Sequence, residues 1–137
     1  MALTHLDAGV VIGLLDAGDV HHASASQALA EVVRSGDRVA MAASAFAECL
    51  VGPARRGEGA ILTVDKLVRR LPIEVVHLDA DIARRAARLR AKHTTLRLPD
   101  ALVIATAASS SAERLITTDR RWPTGRQLGF AMSITVL

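Results

Sequence analysis

Leu98-Pro-Asp-Ala-Leu-Val-Ile-Ala-Thr-Ala107 sets a single acid, Asp100, between a proline and an apolar run. Proline favours the first position of a helix and negative charge favours its first turn, so the stretch reads as the start of a buried helix with a charge at the mouth of the core. Working outward, Leu115–Thr118 reads as a strand that ends at Asp119, and Met132–Leu137 as a last strand beyond the loop holding Trp122-Pro123 and Gly125. In the other direction, Ile73–Leu78 is β-branched and apolar, hence a strand, and Asp79 caps a helix running to about His93.

The first half repeats this rhythm. Leu3–Asp7 reads as a strand, Val10–Leu15 as a helix stopping near Gly18, and Ser24–Arg34 as a second helix ended by Gly36. Arg38–Met41 is a strand, and Ser44 is placed to cap the next helix. Gly52-Pro53 should bend or interrupt that helix, Arg55–Gly59 reads as a polar connection, and Ile61–Leu71 resumes a helical pattern ended by Pro72. Alternating strands and helices predict one α/β/α domain over residues 1–137, with a mainly parallel central sheet of four to five strands.

Composition narrows the function. Half the residues are hydrophobic, enough for a proper core, and no apolar run approaches the ~20 residues of a membrane helix. The lone Cys49 excludes an internal disulfide and a multi-cysteine zinc site, which points to a cytoplasmic protein. With only Phe46, Trp122 and Phe130 as aromatics, single strands are not held by stacking. The basic residues are fifteen Arg and two Lys, and Arg suits phosphate.

Four acids fall at element ends: Asp7 and Asp119 where strands finish, Glu48 and Asp100 in first turns of helices. Ligand sites of such folds form outside the carboxyl ends of the strands, so all four can meet at one sheet edge. Singly, Asp7 could cap a helix, Asp100 serve a dipole and Asp119 make an Asx turn. Glu48 lacks such an excuse, because it lies four residues after Ser44 and a capping box wants three. At ~5 Å and an effective dielectric of ~20 each pair would repel by roughly 3 kcal/mol, so a cation belongs among them. Hard oxygen donors favour Mg²⁺ or Mn²⁺, and such a site supports phosphodiester hydrolysis. With the four neutralised, ten acids face seventeen basic residues, a surface a polyanion would approach.

Leu6-Asp7, Ser44-Ala-Phe-Ala-Glu48, Leu98–Ala107 and Leu115-Ile-Thr-Thr-Asp119-Arg-Arg-Trp122 together span nearly the whole chain. In this order they resemble the PIN-domain ribonucleases, most closely the VapC-type toxins of bacterial toxin–antitoxin pairs. The resemblance implies a three-layer PIN-like fold and an endoribonuclease in which Asp7, Glu48, Asp100 and Asp119 bind Mg²⁺ or Mn²⁺ and cleave RNA. It implies that Thr117 supports the metal site or orients Asp119, and that the protein is a homodimer held inactive by an antitoxin. Arg120, Arg121, Arg97, Arg55 and Arg56 are the candidates for holding phosphate. Two departures stand out. Ala8-Gly9 follow Asp7 where the family often has a hydroxyl, and Arg120-Arg121 stand where some relatives carry a further acid. The latter favours one tightly held ion, with a second recruited by phosphate.

The alternative is a catalytically idle module that keeps the fold and the antitoxin surface. A receiver-type phosphoacceptor wants a lysine after a late strand, and Lys66 and Lys92 do not supply it; a dinucleotide enzyme wants a Gly-x-Gly-x-x-Gly that is absent.

Overall fold

The computed structural model describes residues 1–137 as β1 (Leu3–Leu6), α1 (Ala8–Leu15), α2 (His22–Arg34), β2 (Arg38–Ala42), α3 (Ala43–Arg56), α4 (Glu58–Arg70), β3 (Ile73–Val76), α5 (Ala80–Lys92), α6 (Leu98–Ser109), β4 (Arg114–Thr117) and β5 (Ser133–Val136). The strands form one sheet in the order β3-β2-β1-β4-β5, and every pairing is parallel. From β1 the chain steps to β2 and β3 on one side, then returns to β4 on the other. Right-handed crossovers therefore carry α1–α4 over one face and α5–α6 over the opposite one. The direction reverses between β1 and β4, the place where open parallel sheets form their ligand crevice.

The central strands explain themselves by burial. All four residues of β1 are buried and so are Leu115, Ile116 and Thr117 of β4, as expected of strands covered on both faces. The α6 helix buries Ala101, Val103, Ile104, Ala105, Thr106 and Ala107. Its Thr106 hydroxyl donates to the Leu102 carbonyl at 2.7 Å, which satisfies the one polar group in that run.

Several sequence expectations shift. Ser44 does not cap α3: the helix begins at Ala43 behind Ala42, with no side-chain cap, and the Ser44 hydroxyl is buried without a partner. Glu48 consequently lies in the second turn of α3 rather than its first. Gly52-Pro53 does not interrupt the helix either. Pro53 sits inside it, buried, and the α3–α4 connection shrinks to Gly57, whose φ of +117° only glycine adopts without strain. Tertiary packing of a buried proline has overridden its local preference. Elsewhere α2 begins at His22, whose Nδ1 donates to the Gly13 carbonyl at 2.7 Å and ties α2 to α1. Asp79 caps α5 by accepting from the Ile82 N–H, as expected.

Candidate functional site

Asp7 follows β1 and Thr117 ends β4, so the two adjacent central strands deliver them side by side. The Thr117 hydroxyl donates to Asp7 Oδ2 at 2.8 Å and accepts from the Asp119 N–H at 3.1 Å. One buried hydroxyl thus links the first acid to the loop that carries the last. Asp7 Oδ1 accepts from the Ala8 N–H at 2.8 Å, not from the second or third amide of α1 where an ordinary N-cap would reach. Its other oxygen is held by Thr117 of the neighbouring strand and not by the helix.

The environment of Asp7 disfavours an anion. Burial pushes its carboxyl up to about 6, the Thr117 and Ala8 hydrogen bonds counter this in part, and the charges of Asp100 and Glu48 add to the rise. Glu48 is raised as well, by desolvation first and by Asp100 second, with Arg97 opposing. The charge of Asp100 thus bears on both Asp7 and Glu48, although the three stand before α1, in α3 and in α6. Cys49 is buried and its thiol is pushed up to about 12 by burial and by Glu48 and Asp7, so it is no nucleophile.

Asp119 differs from these three. Its Oδ1 accepts from the Arg121 backbone N–H at 2.9 Å, which is an Asx turn. The Arg121 side chain holds both of its oxygens, and this ion pair keeps its carboxyl below the usual range. Arg97 Nε stands 3.4 Å from Asp100 Oδ2. Arg97, Asp100, Asp119, Arg121 and Trp122 line a crevice of about 50 Å³. The remaining candidate arginines lie apart: Arg120 is exposed beside this crevice, while Arg55 and Arg56 are in the last turn of α3. Arg56 borders a larger groove of about 710 Å³ between α1, α3 and α4, on whose rim Glu48 also sits.

Two features escaped the sequence. A Cβ on Gly9 would overlap Thr118 Oγ1, so the residue after β4 packs against α1 where only glycine leaves room. His5, next but one to Asp7, is fully buried with neither ring nitrogen partnered, and burial lowers it to about 4. Burial therefore favours its neutral form.

No three His, Cys, Asp or Glu side chains stand close enough to ligate an ion as they are. The donor chemistry still suits a hard divalent cation, because Asp7 is a buried carboxyl with two acidic neighbours and no cation of its own.

The PIN domain family model matches residues 5–125. No curated protein is a significant match to the sequence. Among solved structures, the chain is similar to a toxin–antitoxin complex from Klebsiella pneumoniae, with 25% identity, 88% of each chain covered and a TM-score of 0.61. It shares the fold of VapBC2 from Rickettsia felis bound to a promoter DNA fragment, at 14% identity, 98% of each chain and a TM-score of 0.74. It likewise shares that of Mycobacterium tuberculosis VapC20, a sarcin-ricin loop cleaving toxin, at 20% identity, 86% of this chain, 91% of that one and a TM-score of 0.69. No helix is long and apolar enough to cross a membrane.

Proposed function

The chain belongs to the PIN-domain family, and on that footing we propose that it is a metal-dependent endoribonuclease, the toxin of a toxin–antitoxin pair. The observation that carries this reading is Asp7: a carboxyl buried at the reversal point of the sheet, bonded to Thr117, and burdened by the charges of Asp100 and Glu48.

In this reading Asp7, Glu48, Asp100 and Asp119 hold Mg²⁺ or Mn²⁺. An ion held by these carboxylates would polarise a bound water and offset the charge on the phosphoryl oxygens. Thr117 fixes Asp7 through Oδ2 and the Asp119 backbone through its Oγ1. Arg97, Arg120 and Arg121, at or beside the crevice, serve the RNA phosphates by their planar forks. The groove beside Glu48, lined by Ile12, Leu15, Val64 and Leu67, suits an apolar antitoxin segment, with Arg56 and Asp16 at its edge. A homodimer completes the expectation drawn from the family.

A second reading, an idle interaction module, draws on two observations: the acids are not gathered as ligands, and Asp119 is already occupied by Arg121. Sequencing RNA 5′ ends from cells expressing the parent or Asp7→Asn separates the two. New ends at recurrent positions with the parent alone support the nuclease; identical end profiles support the module.

A further inference from the structure

Arginine already holds two of the four acids. Arg121 grips Asp119 three ways: Nε to Oδ1 at 3.0 Å, Nη2 to Oδ2 at 2.9 Å and the backbone N–H to Oδ1 at 2.9 Å. Arg97 leans on Asp100 at the longer distance of 3.4 Å. No ion pair reaches Asp7 or Glu48. The carboxylates are the sheltered partners, with side chains 19% and 15% exposed, whereas Arg121 and Arg97 are 77% and 67% exposed. In each pair the cation is the part free to leave. The crevice beneath them also contains Trp122, whose indole N–H is buried without an acceptor.

We propose that Arg121, with Arg97 beside it, is a built-in counterion that occupies Asp119 in the metal-free protein and competes with the divalent cation for it. The proposal rests on the metal reading above. It accounts for the separate environment of Asp119: held by a guanidinium, that carboxylate adds no further repulsion to Asp7, Glu48 and Asp100 until a dication arrives. An exposed ion pair shifts an equilibrium by at most about fivefold, so the clamp is weak enough to yield to a divalent ion. Once displaced, Arg121 stands beside the site with its fork open to a phosphate. Metal and polyanion then favour each other's binding, by the same factor in each direction.

Mn²⁺ titration followed by the electron paramagnetic resonance of the free ion, at low salt, tests this without any activity readout. Parent, Arg121→Gln, Arg121→Lys and Arg120→Gln are compared. Arg120 makes no ion pair, so its variant measures the plain loss of a nearby positive charge. The expected result is about two- to fivefold tighter Mn²⁺ binding in Arg121→Gln, a smaller gain in Arg121→Lys, which keeps charge but loses the fork, and no comparable gain in Arg120→Gln. Equal affinity in the parent and Arg121→Gln, or equal gains in the Arg120 and Arg121 variants, would overturn the counterion while leaving the metal site standing. Absence of Mn²⁺ binding in all four proteins would remove the metal reading and the proposal together.

Discussion

Asp7 is an acid kept where an anion is poorly placed, and its stability effect has a definite sign. Its folded pKa, about 6, lies above the usual 3.8. The folded state therefore prefers the protonated form, and stability present below pH 4 is lost as pH rises through 6. The shift of about two units corresponds to roughly 3 kcal/mol of destabilisation at neutral pH. Asp7→Asn keeps an oxygen for Thr117 but loses the acceptor of the Ala8 N–H, a cost of about 1–3 kcal/mol at every pH, so its melting temperature relative to the parent should rise by several degrees from pH 4 to pH 7.5 without metal. A melting-temperature difference that stays constant between pH 4 and pH 7.5 would show that Asp7 bears no such burden. At this scale the sequence was informative about position and silent about partners. Asp7 and Asp119 stand out because they terminate strands, and Glu48 because no cap explains it. The grip of Arg121 on Asp119 depends on a turn conformation, and the choice of Thr118 Oγ1 to fill the Gly9 notch depends on two strands arriving side by side. Neither leaves a periodic trace.

The elements were legible where local chemistry and packing agree. Asp79 caps α5 and Pro99 lies at the start of α6 because propensity and burial ask for the same thing there. They failed at α3, where Ser44 and Gly52-Pro53 signal a start and a break that packing overrides. One close meeting is between α1 and the residue after β4, at Gly9 and Thr118. Gly9→Ala should cost about 1–3 kcal/mol through overpacking. Thr118→Ala in the same chain should return much of it, a coupling of about 0.5–3 kcal/mol in a urea double-mutant cycle. Additive effects would mean that the two do not contact.

For the whole molecule, the reversal of strand order between β1 and β4 does the assembling. A parallel sheet ends all its strands at one edge, so acids separated by up to 112 positions, Asp7 to Asp119, can share a rim. The alternation of strands and helices made this architecture readable, and the sheet matches the expected one, with five strands, all parallel. Arg97 and Arg121 stand at the acidic rim, and contacts from them to phosphates predict RNA binding that weakens between 50 and 200 mM salt, as counterion release requires. A flat salt response in a filter-binding assay would argue against phosphate contacts. The central claim, that this acidic rim cleaves RNA with a divalent ion, is tested most directly by incubating RNA with purified parent and Asp100→Asn in Mn²⁺. The parent should cleave, chelator should stop it, and the variant should be slower by at least about a hundredfold, as loss of a metal ligand entails. Equal cleavage by the two proteins, or cleavage that survives chelation, would contradict it.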